Sequence, residues 1–213
     1  QRHNPEFTML EFYRAYATYH DLMDEVETLL AKLAVDVTGS PDVPYGVDAE
    51  EQPRVISFRA PFARVTVREG LQRWAGVAAA DLDDPDALRR RAAALDLYVD
   101  PKAGLGKVQM ELFEHAAEPH LIQPTFVMDF PAEVSPLSRR KDSDPSLVDR
   151  FELYVAGMEI SNAFSELNDP VDQYERFEAQ LAEKARGAEE TMDMDLDYIR
   201  ALEYGLPPTA GEG

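Results

Sequence analysis

Cysteine is absent from the 213 residues, which excludes disulfides and thiolate zinc sites and agrees with a reducing cytoplasm as the compartment. No apolar run approaches the roughly 18 residues needed to cross a bilayer, and the first residues are polar where a signal peptide would be apolar. Basic residues are scarce: 21 Lys and Arg stand against 41 Asp and Glu, a net charge of −20. Phosphate backbones are held by Lys and Arg, so this balance argues for solubility and against broad, non-specific binding of DNA or RNA. Histidine is limited to four residues. His115 and His120 are five apart with Pro119 between them, unlike the i, i+4 pair of a helical metal site, and are assigned structural roles. The chain is long enough to bury a full core, and one large domain is the expectation.

What is present concentrates at residues 151–169. Aromatic and β-branched residues predict two strands, 151–156 and 158–164, with Gly157 as bulge or turn between them. Glu152, Glu159 and Glu166 are embedded in this run. A carboxylate inside an apolar strand is costly unless a cation or several donors meet it. Two readings follow: a solvated sheet face, or a cation site. Mg²⁺ is commonly held by one or two carboxylates plus substrate phosphates, which two glutamates on neighbouring strands could provide.

Along the rest of the chain, residues 7–13 suit a central strand after the loop His3-Asn4-Pro5. At period two Phe7, Met9, Glu11 and Tyr13 share one face, so Glu11 either marks a pocket or pairs with an arginine elsewhere in the sheet. From about Ala17 to Val37 the period becomes helical, with Leu22, Val26, Leu29, Leu30, Leu33 and Val37 forming one stripe. Residues 39–53 read as a loop or hairpin tip, and Arg54 to Phe58 as a short strand. Thr66 begins a helix, and Asp84-Pro85 caps another that runs to about Leu95. Its Arg89-Arg90-Arg91 reads as a solvated face in preference to an RNA contact. Gly104-Leu105-Gly106-Lys107 lacks phosphate-loop spacing, and Val108 stands where Ser or Thr would be required, so the glycines end a loop before a helix at roughly 107–118. Segment 66–120 is thus a helical insertion between strands. A buried strand at 124–130 follows, then Arg139-Arg140-Lys141, either an exposed loop or a phosphate or acceptor-stem contact. Asp169-Pro170 caps a helix whose Tyr174, Phe177 and Leu181 are expected to face the core. From Glu178 to Asp197 a helix end and acidic surface are expected, and a last helix at 196–204 ends at Gly205.

Four blocks carry a family resemblance. Arg150-Phe151-Glu152 with Met158-Glu159-Ile160 and Asn162-Ala163-Phe164-Ser165-Glu166-Leu167-Asn168-Asp169 resembles the catalytic core of class II lysyl-tRNA synthetases of the bacterial type. His3-Asn4-Pro5-Glu6-Phe7-Thr8-Met9-Leu10-Glu11-Phe12-Tyr13 resembles the later half of that family's motif 2. Ala201-Leu202-Glu203-Tyr204-Gly205-Leu206-Pro207-Pro208-Thr209-Ala210-Gly211 resembles the lead-in to motif 3, and Pro131-Ala132-Glu133-Val134-Ser135-Pro136-Leu137-Ser138-Arg139 its P-x-E-x-S-P-L-x-R segment. The blocks keep family order across nearly the whole chain.

The resemblance implies an α+β fold, the class II synthetase core: an antiparallel sheet flanked by helices. It implies ATP-dependent activation of L-lysine to lysyl-adenylate and transfer to the 3' end of tRNA(Lys), with Mg²⁺, in a cytoplasmic homodimer. His3, Asn4, Phe7, Glu152 and Glu159 would serve ATP, with Glu152 and Glu159 also holding the metal. Glu11, Tyr13, Asn162, Phe164 and Glu166 would line the lysine pocket. No side chain reads as a covalent nucleophile or general base, so catalysis would be positioning and charge stabilisation. The family's N-terminal OB-type anticodon domain would precede Gln1, as would the motif 2 arginine and glutamate, and the motif 3 arginine would follow Gly213. The chain therefore reads as a fragment, expected to be inactive alone. Met158 departs from a position often occupied by arginine in bacterial relatives. Two alternatives from other classes are a synthetase paralogue that lysylates a protein and a non-catalytic synthetase-like module; the four carboxylates Glu11, Glu152, Glu159 and Glu166 favour an enzyme.

Overall fold

Strand alternation at the centre of the chain sets the architecture. In the computed structural model, which describes residues 5–47, 51–187 and 191–213, β6 (Arg150–Val155) and β7 (Met158–Ser165) pair antiparallel across the turn at Ala156-Gly157, as their composition predicts. Phe151, Leu153 and Val155 point to one side and are buried, while Arg150, Glu152 and Tyr154 point to the other, because successive strand side chains alternate. The remaining strands are β1 (Phe12–Ala15), β4 (Ala63–Thr66), β5 (Thr125–Met128) and β8 (Thr209–Glu212), and the six-stranded order is β1-β8-β7-β6-β5-β4. Every pairing is antiparallel except β4 with β5, which is parallel.

One face of this sheet packs on α1 (Tyr19–Thr38). Tyr19, Leu22, Met23 and Val26 meet Phe126, Phe151, Leu153, Ala163 and Ala210 in a continuous core. The opposite face divides. Toward β4 and β5 it is covered by α2 (Val67–Arg73), α3 (Pro85–Ala94) and α4 (Leu105–Ala116), where Val65, Val127 and Tyr154 join Leu71, Leu88, Leu112 and Phe113. Toward β1, β8 and β7 these three helices do not extend the core, and that part carries the candidate site.

Local signals act where the sequence placed them. Thr66 caps α2 with a capping box to Glu69, and the Asp84 side chain accepts from Asp86 N and Ala87 N with Pro85 at the first helical position. Asp169 does the same before α5 (Pro170–Ala185), accepting from Val171 N and Asp172 N. The last helix, α6 (Leu196–Glu203), ends before Gly205, whose φ of 102° is the left-handed conformation that glycine tolerates best.

Several expectations are corrected. The strand placed at 7–13 begins at Phe12, because β8 offers ladder partners only to Phe12 through Ala15. The strand at Arg54 to Phe58, here β3 (Pro53–Ser57), is not part of the main sheet; it pairs with β2 (Asp42–Val47), inside the region read as a loop or hairpin tip. Strand β4 directly precedes the helix start expected at Thr66, and β8 lies beyond the last expected helix; neither was expected as a strand. Val37 is 78% exposed and Leu33 also faces solvent, so the α1 stripe is buried only through its first half. Tyr174 and Leu181 are exposed as well; Phe177 is buried as expected, and α5 also buries Gln173 and Arg176, because it lies against the Ser135-Pro136 backbone, to which both donate.

Candidate active site

The open part of the sheet gathers most of the residues singled out in the sequence. Strand register pairs Tyr13 with Gly211, Gly211 with Phe164, and Phe164 with Arg150, so these four lie in one row across β1, β8, β7 and β6. A second row runs from Gly213 to Asn162 and Glu152: Asn162 and Gly213 exchange backbone hydrogen bonds of 2.8 and 3.0 Å, and Asn162 pairs with Glu152. Alternation puts Asn162, Phe164 and Glu166 on the side away from Ala163 and Ser165, which are buried against α1.

Glycine is required between them. A Cβ at Gly211 would overlap both Glu166 Oε1 and the Tyr13 ring, so the absence of a side chain lets a carboxylate and an aromatic edge close over the same stretch of backbone. At Gly213 the neighbours are Glu11 and Met9, with Glu11 Cγ 3.1 Å from where a Cβ would stand. Glu11, Tyr13 and Glu166 thus converge on Gly211 and Gly213. Among the described residues nothing donates to the Glu166 carboxylate, and burial pushes it up to about 7. Tyr198 of α6 faces the same group, its phenol raised first by burial and then by the charges of Glu166 and Tyr13.

The carboxylates of β6 and β7 form a second cluster. Glu152, 6% exposed, has both oxygens engaged: Arg150 Nη2 donates to Oε1 and Tyr154 OH to Oε2, the latter at 2.7 Å. Arg150 also donates from Nε to Asn162 Oδ1 at 3.2 Å and from Nη1 to Ser135 Oγ at 2.9 Å, and its guanidinium lies 4.6 Å from the centre of the Phe130 ring. A bulge opposite Leu153-Tyr154 brings Glu159 level with Tyr154. Glu159 is open to solvent on one side, yet its carboxyl is pushed up to about 7 by burial against the sheet and by the charge of Glu152, with Glu118 adding to it. Two neighbouring carboxylates, one of which raises the proton affinity of Glu159, suit a hard dication, because its charge relieves the repulsion. Among the described residues no group of three or more His, Asp or Glu is arranged to hold a metal by itself.

Other sequence candidates fall elsewhere. His3 and Asn4 lie outside the described residues. Phe7 is 71% exposed and precedes the β1 ladder. Gly104 and Gly106 pack on Glu133, whose carboxylate accepts from Gly106 N at 2.9 Å, so a protein anion already occupies the start of α4 and the phosphate-loop reading is excluded. Arg139 pairs with Asp142 and Asp149, Arg140 with Asp172, and Lys141 with Asp129, ties that serve loop structure. Arg89 and Arg91 donate to the carbonyls of Ala103 and Ala75, and His120 stacks on Trp74. Arg150, Tyr154, Gly211 and Tyr198 were given no role from sequence. Period two would have found the first two, since they alternate with Glu152; Glu118 carries no such signal.

The family model described as tRNA synthetases class II (D, K and N) matches residues 1–213. A lysine–tRNA ligase of Histophilus somni is 53% identical, one of Haemophilus influenzae 52% and one of Mannheimia succiniciproducens 51%, each alignment covering all of this chain. The chain spans 42% of the length of each of these relatives.

Proposed function

Because the chain belongs to the class II tRNA synthetases (D, K and N), we propose that it forms the greater part of the active site of a lysine–tRNA ligase, which activates L-lysine with ATP and transfers it to the 3' end of tRNA(Lys). The observation that carries this reading is the convergence of Glu166 and Tyr13 at Gly211. A half-buried carboxylate with no donor among the described residues is matched by a ligand ammonium, and the Tyr13 and Phe164 rings can cover the four-carbon stem of a lysine. Norleucine lacks the ammonium and would leave Glu166 desolvated without a partner. Arginine carries a longer planar head that a pocket sized for a point charge does not fit.

The chain's own residues supply placement and charge. Glu11, Tyr13 and Glu166 hold the amino-acid side chain, and Asn162, fixed by Arg150 and by Gly213, stands between this pocket and the Glu152 and Glu159 pair. Glu152 and Glu159 would hold Mg²⁺ together with ATP phosphates. Their carboxylates would thereby keep its charge beside the phosphate oxygens, where it would stabilise in-line displacement at the α-phosphate. His3, Asn4 and Phe7 are proposed to meet ATP from the loop before β1. The expected assembly is a cytoplasmic homodimer.

The test is ATP–pyrophosphate exchange by the full-length polypeptide that carries residues 1–213, with lysine, arginine and norleucine compared. Lysine alone should stimulate exchange. Exchange that does not depend on lysine, or that norleucine supports equally, would remove the assignment.

A further inference from the structure

A single phenol hydroxyl stands between two carboxylates at the edge of the site. Tyr154 OH lies 2.7 Å from Glu152 Oε2 and 3.0 Å from Glu118 Oε1. Glu152 belongs to β6, but Glu118 opens the 3-10 turn Glu118–His120 that follows α4, and so belongs to the helical segment between β4 and β5. The residues just after that turn are bolted to the β6–β7 turn: Gly157 N donates to Leu121 O and Ala156 N to Ile122 O, both at 2.9 Å. The Tyr154 ring is 3% exposed and sits in the helical-side core with Val127 and Phe113. Packing therefore fixes the ring, and the ring fixes where its hydroxyl can be.

Glu152 is thereby held on two sides, by Arg150 and by Tyr154, with Glu159 beside it. A carboxylate that must share a cation with a neighbour depends on such hydrogen bonds for its orientation, and two carboxylates set close to one hydroxyl favour added positive charge next to them. We infer that Tyr154 is a positioning residue for the Glu152 and Glu159 pair toward a divalent cation carried with a nucleoside triphosphate, and that Glu118 acts on the pair both by its charge and through the Tyr154 hydroxyl. The helical segment is then part of the site's support and not only a cover for the sheet. This inference rests on the reading of the site given under the proposed function.

The experiment measures ATP binding by calorimetry on the full-length polypeptide, with Mg²⁺ and with EDTA, for the unsubstituted protein, Tyr154→Phe, Glu118→Gln and the double variant. Tyr154→Phe keeps the ring and removes only the hydroxyl. It should weaken ATP binding about tenfold in Mg²⁺, the lower end of the cost of losing a support of this kind, and by less than about twofold in EDTA. Lysine affinity should stay within about twofold. Glu118→Gln should weaken Mg²⁺-dependent binding on its own and by less in the Tyr154→Phe background, because the part carried by the hydroxyl is already lost there. Unchanged Mg²⁺-dependent binding in Tyr154→Phe would overturn the inference. So would an equal loss in EDTA, the mark of a packing role, or a Glu118→Gln effect as large in the double variant as in the single one. An unsubstituted protein whose ATP binding ignores Mg²⁺ would overturn the site reading itself, an outcome distinct from a responsive parent matched by Tyr154→Phe.

Discussion

Replacing Glu166 by Gln changes one oxygen for an amide and removes one charge, so it isolates what that charge does. Without ligand the carboxyl is raised from 4.5 to about 7 by burial alone. Lysine binding requires the ionised form, because only a carboxylate offers the ammonium a charge-assisted bond. With a pKa of about 7, about one tenth of the sites are ionised at pH 6 and about nine tenths at pH 8, so lysine affinity should weaken about tenfold between pH 8 and pH 6. In Glu166→Gln this slope should vanish. The affinity itself should fall by about 10- to 150-fold at pH 8, the equivalent of roughly 1.5–3 kcal/mol for a hydrogen bond to a charged group. Nucleotide affinity should change little. The substitution also has a stability signature of known sign. A carboxyl whose folded pKa lies above its unfolded value binds more protons when folded, so its contribution to stability falls as pH rises from 4.5 toward 7. Glu166→Gln should therefore unfold at a higher temperature than the parent at pH 8, and the gain should disappear near pH 4. Lysine titrations at pH 6, 7 and 8 on both proteins, with melting curves alongside, supply the data. A flat lysine profile in the parent, or an equal loss of ATP binding in the variant, would refute the pairing of Glu166 with the ammonium.

Three further outcomes are expected. Glu159→Gln should reduce the rate of ATP–pyrophosphate exchange at saturating ATP and Mg²⁺ far more than it weakens lysine binding, and an unchanged rate would take Glu159 out of the site. Gly211→Ala places a methyl group against Glu166 Oε1 and the Tyr13 ring, so lysine affinity should drop by at least about tenfold while ATP affinity in the same titration series holds. Gly70→Ala tests packing away from the site: its methyl would overlap the fully buried Phe113 ring, and denaturant unfolding should register a loss of about 1–3 kcal/mol with lysine affinity intact.

Signals confined to a few neighbouring residues were legible in the chain itself. The caps at Thr66, Asp84 and Asp169 act within three residues of where they stand, so each helix start could be read without knowing what the helix packs on. The β6–β7 hairpin was equally legible, because its apolar face alternates over consecutive residues and Gly157 sits at the turn. The residue types at the site were also there to read. Carboxylates at Glu152, Glu159 and Glu166 in an apolar run ask for a cation wherever the strands lie, and the resemblance supplied their proposed roles.

Register across distant segments was a different matter. Strand β8 has little apolar alternation of its own; it is a strand because β7 and β1 bind it on both sides, and those partners are tens to hundreds of residues away in the chain. Only that pairing sets Gly211 between Tyr13 and Glu166 and makes its missing side chain matter. Likewise Arg150 and Tyr154 are unremarkable strand residues until the fold puts Asn162 and Glu118 beside them. The sequence by itself determined the capped helices, the β6–β7 hairpin and which chemical groups are available. Tertiary structure decided which carboxylate would be clamped, at Glu152, and which left without a donor among the described residues, at Glu166, because both outcomes depend on groups that only long-range pairing brings within a few ångströms.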